Sequence, residues 1–197
     1  MFSDTTLPRR YHPLRNYLQQ ENWRESDRET RRLMLASVGK PESGYWENSD
    51  YENCPCQDLE TLDRLWRHYS QNRFGFSIQK QIYESLGDIP TGVDSRFAER
   101  LGDRLGWRSN NDWLYYRDLR FSLIAPLGHL PYLGITRQRR HRNKDWWDEL
   151  LQQTLATVDS FLGLEEKGEL LLSGGLYWLL FYQRTLPRCN FGEDSLT

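Results

Sequence analysis

Arg67, Arg73 and Lys80 surround two phenylalanines held apart by one glycine, Phe74-Gly75-Phe76. The glycine can adopt backbone angles closed to other residues and lets two rings splay from a tight connection. Two aromatic faces beside three cations can wall a site for something flat, apolar and anionic. The same residues also read as an ordinary helix–turn–helix with both rings in the core, the usual fate of apolar side chains at helical spacing. At this stage both readings stand.

Other chemistry was sought and not found. The chain has no phosphate-cradling glycine loop, no G-x-S-x-G and no H-E-x-x-H. Its four histidines (His12, His68, His129, His141) are scattered. His129, between Gly128 and Leu130, reads as a structural hydrogen-bonding group. Asp58 and Glu60 lie at a helix start, where carboxylates cap and favour the dipole. Cys54 and Cys56 are too close for a routine disulfide, and no zinc-finger spacing accompanies them. The expectation is therefore free thiols in a reducing compartment, no metal and no catalytic apparatus.

The elements that must position these groups read as helices. Leu59, Leu62, Trp66 and Tyr69 mark one helical face, with Asp58 at the N-cap and an end near Ser70. Ser77 is expected to cap a second helix carrying Ile78, Ile82 and Leu86. Upstream, Leu14, Tyr17 and Leu18 mark a helix ended by Glu21-Asn22, and residues 23–35 form another. On the latter, Trp23, Asp27, Thr30 and Met34 share a seam, where a buried Asp and Thr call for hydrogen-bond partners on another helix. Residues 38–56 read as a loop with Tyr45 and Trp46 at its tip, and 87–94 as a second loop. Phe97, Leu101 and Leu105 mark a short helix stopped by Gly106. Residues 107–116 look extended around an Asn110-Asn111-Asp112 turn. Ala125 to Pro131, with two prolines and a glycine in seven residues, must be loop.

Downstream the texture changes. Residues 137–144 hold five Arg or Lys in eight, a solvated linker or a contact for an anionic partner. Trp146 to Val158 reads as an amphipathic helix ending near Gly163. Leu170 to Tyr182 reads as a buried apolar helix closed by Pro187, too short to span a bilayer. The division expected is a flexible arm (1–13), a core domain (14–136), and a basic linker with a C-terminal helical segment (137–197).

The 197-residue length suits a single core domain. Its 38% hydrophobic and 27% charged residues describe a soluble globular chain, and a net charge of −2 argues against a general nucleic-acid binder. The outlying figure is 14% aromatic residues, with 8 Trp and 11 Tyr, a content suited to planar ligands, interfaces or a core of short helices. No basic-then-apolar leader opens the chain. A soluble protein of cytoplasm or plastid stroma is expected.

Three blocks, taken together, resemble one family. The first is Trp23-Arg24-Glu25-Ser26-Asp27-Arg28-Glu29-Thr30. The second joins Cys56-Gln57-Asp58-Leu59 and Leu62-Asp63-Arg64-Leu65-Trp66 to the run from Tyr69-Ser70-Gln71-Asn72-Arg73-Phe74-Gly75-Phe76 through Ser77-Ile78-Gln79-Lys80. The third is Gly106-Trp107-Arg108 with Phe121-Ser122-Leu123-Ile124-Ala125-Pro126-Leu127-Gly128-His129-Leu130-Pro131. They resemble the Genomes Uncoupled Four family, tetrapyrrole-binding regulators of magnesium chelatase in chlorophyll-making organisms, over roughly Leu14 to Pro131. Two departures are Cys54 before Pro55, where an aromatic is usual, and Ser26 in place of alanine.

The resemblance implies a mainly α fold: a compact multi-helix domain shaped like a cupped hand, with long loops and little strand. It implies a non-enzymatic protein that binds protoporphyrin IX or its magnesium form and stimulates the porphyrin-binding subunit of magnesium chelatase. A monomer is expected, with peripheral membrane association left open. A divergent paralogue taking haem or a linear bilin, or an interaction module without pigment, are the alternatives. A porphyrin needs apolar walls, and Arg or Lys to meet its propionates. Trp66, Phe74, Phe76, Trp107 and Phe121 are the candidate walls, Arg67, Arg73, Lys80 and Arg108 the candidate cations, and Gln79 the polar member. About half of the set is expected to touch ligand and the rest to be core.

Overall fold

The computed structural model describes residues 7–41, 46, 48–92, 94–132 and 177–191. Seven α-helices occur among them: α1 (His12–Gln19), α2 (Trp23–Ser37), α3 (Asn48–Asn53), α4 (Cys56–Tyr69), α5 (Phe76–Ser85), α6 (Ser95–Leu105) and α7 (Tyr177–Leu180). Among the described residues the strand content is one hairpin, β1 (Arg108–Ser109) with β2 (Asp112–Trp113), turned by Asn110 and Asn111 at positive φ. That is the two-residue turn expected from an Asn pair. The mainly helical fold with long loops and little strand is as the sequence implied.

The periodic faces are the buried ones. On α4, Leu59, Leu62, Leu65 and Trp66 are wholly buried, and on α2 the seam of Trp23, Ser26, Asp27, Thr30 and Met34 faces inward. The polar members of that seam are partnered across the fold: Trp66 Nε1 donates to Thr30 Oγ1 at 2.8 Å, and the Tyr132 backbone N–H to Asp27 Oδ1 at 2.6 Å. On α6, Phe97, Leu101 and Leu105 are buried. Asp94 caps its start by accepting from Phe97 N at 2.7 Å, and Gly106 at φ +71° ends it.

The chain Phe74-Gly75-Phe76 does splay two rings, but into the interior. Phe74 meets Trp23 edge-on at 5.6 Å, while Phe76 lies 5.3 Å from Phe181, part of a separate group with Trp46. Gly75 sits at φ +135°, where a Cβ would come within 2.6 Å of the Asp63 carboxylate. No other residue fits that corner.

Several expectations are corrected. α4 begins two residues before Asp58, with Pro55 at the N-cap. Asp58 therefore lies in its first turn, where it pairs with Arg10 and accepts from Tyr11 Oη at 2.8 Å. Ser77 does not cap α5; Gly75 holds that place, and the Ser77 N–H and Oγ both donate to Asp63 Oδ1. The described end of the expected loose arm is anchored, because Arg9–Tyr11 forms a 3-10 turn whose tyrosine is buried. Trp46 is buried rather than at a loop tip, its Nε1 donating to the Met34 carbonyl. Cysteine usage differs too. Cys56 is disulfide-bonded to Cys189, and only Cys54 is free. Spacing along the chain could not show a bond joining residues 133 apart. Tyr45, the basic run, the helix from Trp146 and the first part of the apolar segment lie outside the described residues.

The end of that apolar segment is described. α7 passes into a π-helical turn, Phe181–Thr185, and a 3-10 turn, Leu186–Arg188. Phe181 and Leu186 are fully buried, Thr185 Oγ1 donates to the Tyr51 carbonyl at 2.7 Å, and Cys189 fixes the segment to the start of α4.

Candidate ligand-binding site

The ten sequence-identified residues do not converge on one cavity. Trp66, Phe74, Phe76 and Gln79 are wholly buried and Trp107 nearly so. In this structure those rings face the core and not solvent. What they do instead is visible in their polar groups. Gln79 Nε2 donates to the carbonyls of Gly128 and Pro131, both at 2.8 Å, and Trp107 Nε1 to the His129 carbonyl at 2.8 Å. Gly75 N–H donates to the Leu130 carbonyl at 3.0 Å, and Gly128 N–H to the Arg73 carbonyl at 2.8 Å. The buried block is a cradle for the backbone of residues 125–131, a loop with few internal partners. Within it His129 N–H reaches the Pro126 carbonyl, but the carbonyls of Gly128, His129, Leu130 and Pro131 are met from outside it.

His129 belongs to the same scaffold, as the sequence suggested. It is buried, its Nδ1 lies 2.7 Å from the Leu105 carbonyl, and its Nε2 accepts from Arg120 N–H at 3.1 Å. A carbonyl can only accept, so Nδ1 carries the proton and Nε2 is the acceptor. Burial holds its pKa below the ordinary histidine value.

What this scaffold presents outward is mixed: Arg117, Asp118 and Arg120 are exposed, and large apolar side chains stand in water beside them. The large hydrophobic side chains most exposed among the described residues are Ile89, Tyr115, Ile124 and Leu127, and three of the four lie in Tyr115–Leu127. Ile124 is 78% exposed. Phe121, Leu123, Leu114, Tyr116 and Trp113 are half-buried beneath or beside them. Leu119 and Ala125, fully buried in the same stretch, fix its inner side.

The cations divide by what already neutralises them. Arg108 is paired with Glu99 and Asp103, at 3.5 and 3.2 Å, and donates to the Asn111 carbonyl. Arg67 donates from Nε to Asn72 Oδ1 at 3.1 Å, and Lys80 lines a different cleft on α5. Arg73 is the one the fold carries to the loop. Its Nη2 donates to the Ala125 carbonyl at 2.8 Å, its Nε is buried without a hydrogen-bond partner, and no described acid pairs with it.

Sequence reasoning missed Arg24. Its guanidinium lies 4.4 Å from the Phe121 ring centroid and 5.9 Å from that of Tyr116, also without an acidic partner among the described residues. It missed Ile124 and Leu127 as well, although both stand in the block that carried the resemblance. Their exposed position was the missing signal, and a periodicity argument cannot supply it inside a proline-rich loop.

Asp27 ties this surface to α2. Its carboxylate takes the Tyr132 N–H and a hydrogen bond from Tyr116, and burial raises its pKa to about 7. Among the described residues no cluster of three His, Cys, Asp or Glu is arranged to hold a metal ion, and no helix is long and apolar enough to cross a membrane.

A family model described as GUN4-like matches residues 4–147. A Ycf53-like protein of Synechocystis is 31% identical over 130 residues, 64% of this chain and 52% of that protein. The chloroplastic tetrapyrrole-binding protein of Arabidopsis thaliana is 29% identical over 140 residues, 63% and 48% of the two chains. This chain thus spans about half the length of the curated relatives it matches. Among solved structures, ligand-free GUN4 of Arabidopsis thaliana superposes with a TM-score of 0.53 at 28% identity, covering 63% of this chain and 84% of that one. GUN4 of Chlamydomonas reinhardtii gives 0.54 at 26% identity, covering 68% and 86%.

Proposed function

The chain belongs to the GUN4-like family, and from that premise we propose that it is a non-enzymatic tetrapyrrole-binding protein whose ligand lies on the Tyr115–Leu127 surface. The carrying observation is the group of large apolar side chains left in water there, beside Arg73 and Arg24, neither of which has an acidic partner among the described residues. Exposed apolar groups held out by a rigid scaffold are what a flat ligand can cover. Arg73 and Arg24 can meet its carboxylates, and guanidinium groups suit bidentate pairing with them. The ligand proposed is protoporphyrin IX or its magnesium form.

The finer reading, stimulation of the porphyrin-binding subunit of magnesium chelatase in chlorophyll synthesis, rests on family membership and is part of the proposal. So is residence in cytoplasm or plastid stroma. Titrating the purified protein with protoporphyrin IX and magnesium protoporphyrin IX tests the binding. A saturable Soret shift with quenching of tryptophan fluorescence is expected. A Soret band that stays at its free position in the presence of excess protein would overturn the assignment. Adding the protein to a chelatase assay tests the partner separately.

A further inference from the structure

Away from that surface, α5, residues 89–91 and the C-terminal segment enclose a cleft of about 290 Å³ lined by Lys80, Tyr83, Glu84, Ile89, Tyr182 and Gln183, with prolines 90 and 187 at its edges. We infer that this cleft is a binding site for a small monocarboxylate with an aromatic or branched aliphatic body. The inference goes beyond tetrapyrrole binding, because Tyr182, Gln183 and Pro187 lie outside the residues matched by the family model.

The cleft is built rather than incidental. Tyr182 stacks on Tyr83 with ring centroids 5.3 Å apart, and its hydroxyl donates to Gln79 Oε1 at 3.0 Å, so its ring cannot swing. Gln183 Nε2 donates to the carbonyls of Pro90 and Gly92, at 3.4 and 2.9 Å, tying the opposite wall to the C-terminal segment. The Cys56–Cys189 disulfide holds that segment in place six residues further on. A site held open in advance saves a ligand the cost of ordering it.

Its chemistry selects the ligand. Lys80 is half-buried and has no carboxylate within ion-pair distance among the described residues, although Glu84 lies one helical turn away. The Tyr83 hydroxyl is buried against the Gln183 side chain, and its O–H has no acceptor in hydrogen-bond geometry among the described residues. An ammonium and an unspent phenol on one wall match a single carboxylate, which accepts from both. Glu84, exposed at the same cleft, repels a second negative charge and so disfavours dianions such as phosphate monoesters. Ile89, the tyrosine rings and the two prolines supply the apolar remainder. The volume sits at the lower end of small-molecule sites, room for one or two rings but not for a tetrapyrrole.

The probe is phenylacetate, with neutral phenylacetamide and dianionic phenyl phosphate as controls, titrated into the oxidised 197-residue chain and followed by saturation-transfer NMR. Phenylacetate should saturate one site, with both controls at least about tenfold weaker. Lys80→Met should cost phenylacetate roughly tenfold and Tyr83→Phe a few-fold, with unchanged thermal midpoints. Equal binding of the acid and the amide would overturn the proposal on wild-type protein alone. So would failure to saturate by about 10 mM. Protoporphyrin titrated into the same samples should bind without displacing phenylacetate. Loss of one response with retention of the other therefore separates this proposal from the tetrapyrrole reading.

Discussion

Ile124 and Phe76 test the proposed division between ligand-contacting surface and scaffold, since both stand in blocks that resemble the same family. Ile124 is 78% exposed, so folding gains little from it. Full burial of such a side chain is worth about 1.5–3 kcal/mol, so covering its exposed part with a flat ligand adds roughly 1–2 kcal/mol of affinity. Ile124→Ser should therefore weaken porphyrin binding about 5- to 30-fold while leaving the urea midpoint in place. Phe76 is 0% exposed and packs against Phe181. Phe76→Ala should cost about 3–5 kcal/mol of stability, with any loss of affinity following the unfolded fraction. Urea melts and Soret titrations on the same preparations decide the matter. If Ile124→Ser binds porphyrin as the wild type does, or Phe76→Ala loses affinity while fully folded, the assignment of surface and scaffold is wrong.

Three further outcomes follow from the same geometry. Cys189→Ser opens a loop of 133 residues, whose closure entropy sets a ceiling of about 5 kcal/mol; urea melts of oxidised protein, the variant and reduced protein should show the first clearly above the other two, and coincident midpoints would refute a structural bond. Asp27 has a folded pKa raised by burial from 3.8 to about 7, so the folded state holds the extra proton and stability falls as pH rises through that window; Asp27→Asn should remove a loss on the order of a few kcal/mol between pH 4 and 8, seen as a flatter pH profile of thermal midpoints. Gln79→Met strands the Gly128 and Pro131 carbonyls and the Tyr182 hydroxyl, at a cost of roughly 2–4 kcal/mol, and hydrogen exchange at residues 125–131 should accelerate.

The helices were legible because their signal is local. The seam of Trp23, Asp27, Thr30 and Met34, the face of Leu59, Leu62 and Trp66, and the stop at Gly106 follow from spacing and glycine chemistry alone. The caps of α4 and α5 were misread for a related reason. Asp58 and Ser77 have capping chemistry, but each finds a partner elsewhere, Asp58 with Arg10 and Tyr11, and Ser77 with Asp63. A non-local partner cannot be read from composition. The disulfide, the burial of Tyr11 and the docking of the C-terminal segment are failures of the same kind, since each depends on residues far apart in the chain.

The candidate site was half legible, and the missing half has a physical cause. Aromatic rings and cations near a glycine look alike whether they line a pocket or support the loop that does. The distinction lies in where their polar atoms point. Trp107 and Gln79 spend theirs on carbonyls of residues 128–131, and Gly75 spends its N–H on Leu130. A proline-rich loop has few internal partners for its backbone, so the sequence blocks around it are committed to supplying them. Arg73 stands at the join, with one nitrogen on the Ala125 carbonyl and another unspent. On the proposed reading it joins the buried frame to the exposed surface. A ligand carboxylate at Arg73 would thus be read directly by the loop that carries Ile124 and Leu127.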